Sequence, residues 1–233
     1  MKIKFVNLDE GLLEGVSVLK DILNFELSEE GVPICVTKGL NIIAKLKNGN
    51  GEITYCEKNH FFRALGLFLE HAKKGEEFEI AETPKFKTVG VMVDASRNAV
   101  MTVDGIKRFL SYMAVMGYNL LMMYTEDTYE IRSRSLFGYM RGRYTFDELH
   151  ECDLFAEKLG IEMMPCIQTY GHMEQYLKWV EAYDIKDTDS VLLAGEEKTY
   201  EFIEEMITSA TAPFKSNRIH IGMDEAWDMG MGQ

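Results

Sequence analysis

Cysteine is scarce: Cys35, Cys56, Cys152 and Cys166 are scattered over 233 residues with no C-x-x-C pair among them. Reduced, mostly buried thiols in a cytoplasmic protein follow from that spacing. No stretch has the apolar length of a signal-peptide core or of a bilayer span, so no membrane partner is expected. Positive charge is also in short supply. Lys and Arg number 25 against 38 Asp and Glu, for a net charge of -13. Such a surface repels nucleic acid and anionic lipid and suits a small neutral or polar substrate. Neither an H-x-H nor an H-E-x-x-H spacing occurs. A metal site at His172, His220, Asp224 and Glu225 is therefore not expected, nor is any cofactor. The 15 methionines are read as core filling.

What is present divides near Glu82-Thr83-Pro84. Residues 1–83 mix short β-type runs at Lys2–Val6, Leu40–Lys45 and Glu52–Tyr55 with a hairpin signal, Asn48-Gly49-Asn50-Gly51. A helical pattern from Asn59 to Lys74 follows, with Asn59 as its cap, and Gly75 closes it. This is a small α/β domain. From residue 84 to 233 the chain alternates strand and helix. The predicted strands are Thr88–Val93, Asn119–Tyr124, Ile161–Ile167 and Arg218–Gly222. The predicted helices run over Thr102–Met116, Thr145–Leu159 and Glu196–Thr211, the second opened by a Thr145/Glu148 capping box. Unbroken apolar strands separated by helices imply a buried parallel sheet.

Chemistry falls at the same end of every strand. Asp94 and Arg97 follow the first, Glu126 and Asp127 the second, Gln168 and His172 the third, Asp224 and Glu225 the fourth. A single Asp-Glu dipeptide reads as a solvated acidic loop, and a lone Arg97 as a surface ion pair with Asp94. Four strands loading one rim is the arrangement of a (β/α)8 TIM barrel, whose loops after the strands build the active site. A doubly wound sheet would also bind there, but no glycine-rich phosphate loop follows the first strand. The sequence predicts the first half of a barrel, about four βα units, behind a small α/β domain. His220, inside a strand, is expected to be structural and hydrogen-bonded.

Three segments resemble glycoside hydrolase family 20, the β-N-acetylhexosaminidases. Val91-Met92-Val93-Asp94-Ala95-Ser96-Arg97 is similar to that family's first barrel strand. Met164-Pro165-Cys166-Ile167-Gln168-Thr169-Tyr170-Gly171-His172 is similar to its third. His220-Ile221-Gly222-Met223-Asp224-Glu225 resembles its His-x-Gly-x-Asp-Glu signature. Phe62-Arg63-Ala64-Leu65 and Thr83-Pro84-Lys85-Phe86 look like the end of the domain that precedes the barrel.

The resemblance implies an exo-acting enzyme that removes terminal N-acetylglucosamine or N-acetylgalactosamine with retention, the substrate's own acetamido oxygen attacking the anomeric carbon. It makes Glu225 the general acid and then base, and Asp224 the charge that orients the acetamido group and stabilises the oxazolinium. His172 and Asp127 would relay to Glu225, with Glu126 a rival for Asp127, and Arg97 would hold sugar hydroxyls. Two adjacent carboxylates titrate together, which favours one keeping its proton.

The sequence departs from the family at Tyr124-Thr125-Glu126-Asp127-Thr128, at Gln168, where an aspartate is common, and at Met223, in place of a frequent glycine. These departures look like a divergent bacterial branch. The chain ends at Gln233, soon after the fourth predicted strand. A truncated barrel with open strand edges, inviting self-association and little active alone, is the expectation. The competing reading is a non-catalytic carbohydrate-binding fragment.

Overall fold

The computed structural model describes residues 1–232. They form two compact units: residues 1–90 with 105–120 and 154–161, and residues 91–104 with 121–153 and 162–232. The division does not follow one cut in the sequence, because two later stretches pack with the N-terminal sheet.

The first unit carries β1 (Lys2–Val6), α1 (Glu10–Leu23), β2 (Glu26–Leu27), β3 (Val32–Lys38), β4 (Ile42–Lys47), β5 (Asn50–Tyr55), α2 (Lys58–Ala72) and β6 (Phe78–Glu82). The six strands form one sheet in the order β2-β1-β3-β5-β4-β6. The β4–β5 hairpin turns at Asn48-Gly49, with Lys47 paired to Asn50 and both turn residues at positive φ. That is the twist which matches antiparallel strands, and Asn-Gly adopts it at little cost. Helix α1, absent from the predicted elements, starts where the Asp9 carboxylate accepts from the Gly11 N–H at 2.9 Å. It buries Leu12, Val16 and Leu19 at helical spacing. Asn59 is not the cap of α2. Glu57 is, its N–H donating to His60 Nδ1, while Asn59 is buried and donates from Nδ2 to the Gly117 carbonyl. The core joins Ile3, Val16, Ile34 and Ile53 to Phe61, Phe62, Leu65 and Phe68. Helix α3 (Val103–Met116) lies mostly in this unit, where Arg63 donates to the Val115 carbonyl.

The second unit holds the strands predicted to carry chemistry. β7 (Gly90–Asp94), β8 (Leu120–Thr125) and β9 (Glu162–Ile167) form a parallel sheet in chain order. Between β8 and β9 lies α4 (Phe146–Lys158), opened by the predicted box: the Thr145 N–H donates to Glu148 Oε2 and the Glu148 N–H to Thr145 Oγ1. β8 and β9 are buried along nearly their whole length, as continuous apolar runs should be. β7 is not, and Met92 is half exposed. It is an edge strand, with no strand partner on its outer side among the described residues.

The fourth predicted strand is a bridged segment and not a regular strand. His220 N–H donates to the Pro165 carbonyl, Ile167 N–H to the His220 carbonyl and Thr169 N–H to the Gly222 carbonyl, so residues 218–222 run parallel to β9. Its single bridge, His220 opposite Cys166, leaves it short of a full ladder. After β9 the chain makes α5 (Glu174–Leu177), a 3-10 turn (Val180–Ile185) and α6 (Glu197–Thr211). None of the four cysteines forms a disulfide. Cys152 and Cys166 are buried, but Cys35 is half-buried and Cys56 exposed, fewer buried thiols than expected.

Candidate active site

The four strand ends meet on one rim of the second unit. At the first, Asp94 turns the backbone: its Oδ1 accepts from the N–H groups of Ser96 and Arg97, and its Oδ2 from Arg97 Nε at 2.6 Å. Burial works against its charge, but those three donors hold its carboxyl below the usual range. The Arg97 guanidinium lies 4.8 Å over the Tyr124 ring and 3.8 Å from Glu126 Oε1. Its ion pair with Asp94 thus fixes it inside the cluster, with its side chain about half exposed.

At the second strand end Glu126 and Asp127 part company. Glu126 is 5% exposed and accepts from Tyr124 Oη at 3.2 Å and from Ser96 Oγ at 3.3 Å. Burial pushes its carboxyl up, against the pull of Tyr124 and Arg97. Asp127 takes Arg141 Nε at 3.2 Å, and Arg141 also donates to the Ser96 carbonyl. The expected Asp127–His172 contact is not made. Side chains alternate near a strand end, so Tyr124 and Glu126 share one side and Asp127 the other. The electrostatic partner that His172 finds on this strand is Glu126.

The third and fourth ends bring the predicted acid together with its neighbours. His172 Nε2 lies 3.4 Å from Glu225 Oε2 and 3.7 Å from Asp224 Oδ2. Gln168 Nε2 donates to Asp224 Oδ1 at 3.1 Å and holds that carboxyl below the usual aspartate range. His172 and Glu225 are both non-glycine residues in the left-handed region, at φ 57° and 56°. Backbone held there is strained and is typical of sites where a side chain must be aimed. Asp224 and Glu225 are more than half exposed, at 57% and 58% of their side chains. Beneath them Cys166 is pushed up to about 11 by burial and by the Asp224 charge, which leaves a neutral thiol.

Of the predicted residues, Arg97, His172, Asp224 and Glu225 share the rim and Asp127 stands beside it. His220 accepts the Gly222 N–H on Nδ1 within the bridge, a structural role. Tyr124 and Arg141 went unforeseen. For Tyr124 a signal existed, its two-residue spacing from Glu126. Arg141 sits in the loop before α4, where no periodicity reaches.

The profile of the glycosyl hydrolase family 20 catalytic domain matches residues 86–232. Beta-hexosaminidase A of Caenorhabditis elegans is 26% identical over 184 residues, covering 70% of this chain and 33% of its own length. The beta-hexosaminidase of Vibrio furnissii is 26% identical over 186 residues, covering 64% and 30%. A solved family 20 exo-β-N-acetylglucosaminidase from Vibrio harveyi, in complex with N-acetylglucosamine, has a TM-score of 0.78 at 21% identity, covering 96% of this chain and 43% of that one. The chain spans about a third of the length of the curated relatives it matches. The fold held in common is the (β/α)8 barrel, of which β7, β8, β9 and residues 218–222 are the first strands.

Proposed function

The chain belongs to glycosyl hydrolase family 20, and from that premise we propose that it supplies the acid/base and acetamido-orienting part of a β-N-acetylhexosaminidase site. The substrate is an oligosaccharide or small glycoside with a terminal N-acetylglucosamine or N-acetylgalactosamine. Residues 1–83 are read as the small domain that precedes the barrel of residues 84–233. The setting is read as bacterial and cytoplasmic, from the departures at residues 124–128, Gln168 and Met223 and from four widely spaced cysteines.

One observation carries the reading: Glu225 and Asp224 stand side by side, the first against His172 Nε2 at 3.4 Å and the second against Gln168 Nε2 at 3.1 Å. In the proposed reaction Glu225 gives its proton to the glycosidic oxygen as the acetamido oxygen of the same sugar closes on the anomeric carbon. The bond to the leaving group breaks with its electron pair on that oxygen. Asp224, kept ionised by the Gln168 donor, faces the positive charge that develops on the acetamido group. Water then attacks the anomeric carbon, Glu225 takes its proton, and the acetamido group is restored with the original configuration. His172 orients Glu225, and Arg97 offers its free donors to ring hydroxyls. Asp127 acts at one remove, by holding Arg141 against the Ser96 carbonyl.

With both carboxylates more than half exposed, water is not excluded from the site, which weakens every electrostatic contribution. Slow turnover by this polypeptide alone is therefore expected. The same exposure favours the second reading, a carbohydrate-binding fragment without catalysis. Hydrolysis of a chromogenic N-acetylglucosaminide, measured beside N-acetylglucosamine binding, separates the two. In the enzyme reading, Glu225→Gln cuts the rate on the order of 10²–10⁴-fold with binding retained. Equal rates for the two proteins would remove Glu225 from the mechanism, and binding without turnover in the parent chain would favour the second reading.

A further inference from the structure

We propose that Gln168 is a positioning residue that fixes Asp224 in one orientation and in its charged form, its amide donating to Asp224 on one side and through Tyr124 to Glu126 on the other. The idea rests on the glycosidase reading for the use made of Asp224, and on geometry alone for the clamp itself.

Gln168 follows β9 directly and is 2% exposed. Its Nε2 donates to Asp224 Oδ1 at 3.1 Å and to Tyr124 Oη at 3.2 Å. The tyrosine proton is directed onward to Glu126 Oε1, also at 3.2 Å. A carboxylate closes each end, so the direction of every donor between them is determined. An amide nitrogen has two protons and both are in use. Turning the amide over would set its oxygen against the Asp224 carboxylate, acceptor facing acceptor. Gln168 Oε1 is instead left buried with no hydrogen-bond partner, beside Gly222. An orphaned acceptor inside a protein is costly. Its retention is understandable if the nitrogen end is what the site requires.

The residue type matters as much as the geometry. A carboxyl group at position 168 would share a proton with Asp224, and the two would titrate as a pair. The amide cannot exchange a proton, so the charge on Asp224 does not depend on its partner. The other groups facing Asp224 are His172 at 3.7 Å, His220, the Cys166 thiol and adjacent Glu225. The two imidazoles reinforce the negative charge when protonated, and the neutral thiol leaves it alone. Gln168 is the group that acts on it at every pH.

The test is a titration of the full chain carrying ¹³C-labelled aspartate carboxyls, followed by NMR. In the parent, Asp224 has its midpoint below the ordinary aspartate value. Gln168→Met, which keeps volume and removes both protons, raises that midpoint by about one pH unit. N-acetylglucosamine, titrated into the same samples, binds about tenfold more weakly. Gln168→Glu gives Asp224 a two-step curve. Tyr124→Phe, which frees the amide at its far end, moves the midpoint in the same direction by less. It also supplies the answer should Gln168→Met fail to fold. Thr169→Val, a buried neighbour on the other side of the strand, is the control for general loosening. An unmoved midpoint in the folded Gln168→Met chain, or an equal shift in Thr169→Val, overturns the proposal. A parent chain that binds no N-acetylglucosamine would sink the glycosidase reading while leaving the Asp224 shift in Gln168→Met free to appear.

Discussion

The two sheets of this molecule end very differently. The first is bounded by β2, only two residues long, and by β6, where Glu79 faces outward in an ion pair with Lys45 and Glu82 is held by Arg63. Short or charged edges of this kind discourage further pairing. The barrel sheet is bounded by β7, with Met92 exposed, and by the segment after His220, with Ile221 and Met223 exposed. Apolar residues on an unpaired edge are the mark of a surface that takes more strands. The first sheet is finished by its own chemistry. The second carries its functional groups on strands whose outer sides have no strand partner among the described residues, and its paired carboxylates are more than half exposed.

The greatest expected effect strikes the barrel sheet. A Cβ on Gly222 would lie 2.2 Å from the Ile167 carbonyl oxygen, and its φ of 45° is left-handed. Gly222→Ala has to move the backbone that pairs with β9, costing about 3 kcal/mol or more. Amide hydrogen exchange should show lost protection at Ile167, Thr169 and His220, while β3 and β5 stay as they were. Equal losses in both sheets would show that the two regions are not the separate cases drawn above.

A smaller effect sharpens the contrast through two glutamates of opposite sign. Hydrogen bonds from Arg63, at 2.6 and 3.0 Å, lower the Glu82 carboxyl below its ordinary value. Its contribution to stability is complete above that ordinary value and is lost as the pH falls through the depressed folded one. Burial raises the Glu126 carboxyl instead. Its contribution is complete below the ordinary value and is lost as the pH rises through the raised one. At pH 7 Glu82→Gln should therefore destabilise, by about 0.5 kcal/mol because the pair is partly exposed. Glu126→Gln should stabilise by about 1 kcal/mol, near 2–4 °C in melting temperature. Both differences should shrink on acidification, as thermal melts between pH 7 and 4 would record. A Glu126→Gln chain that melts lower at neutral pH would mean that Tyr124, Ser96 and Arg97 outweigh the burial of its charge.

How far these features could be read from sequence depends on the range of the physics behind them. The first three barrel strands, the helices between them, the Asn48-Gly49 turn and the Thr145/Glu148 box are set by neighbours in the chain and formed as expected, whereas the fourth strand is only a bridge to β9. Strand β3 escaped because Pro33 lies inside it, paired opposite Lys4, and proline ordinarily argues against a strand. Helix α1 was signalled by Asp9 and the Leu12, Val16, Leu19 spacing, which short β-like runs on either side obscured. At the site, residue types marked Arg97, His172, Asp224 and Glu225. The choice between Glu126 and Asp127 needed strand parity, which Tyr124 would have supplied. What sequence could not supply was the partner of each group. Gln168 reaching Tyr124 and Asp224, 44 and 56 residues away, is a consequence of three strand ends meeting.

The smallest change in stability should accompany a clear change in association. Met92 is half exposed on β7, which has no strand partner on its outer side among the described residues. A lysine there puts a charge on the edge, the device that the N-terminal sheet already uses at Glu79 on β6. Met92→Lys should alter stability by less than about 0.5 kcal/mol, since little packing is lost. Sedimentation over a range of concentrations should find the parent chain associating and the variant shifted toward monomer. Glu79→Lys, made on the first sheet as a reference, should leave the association of the parent unchanged. Were the parent monomeric at every concentration, apolar exposure on β7 would be tolerated by the edge as it stands, and the contrast between the two sheets would be one of burial only.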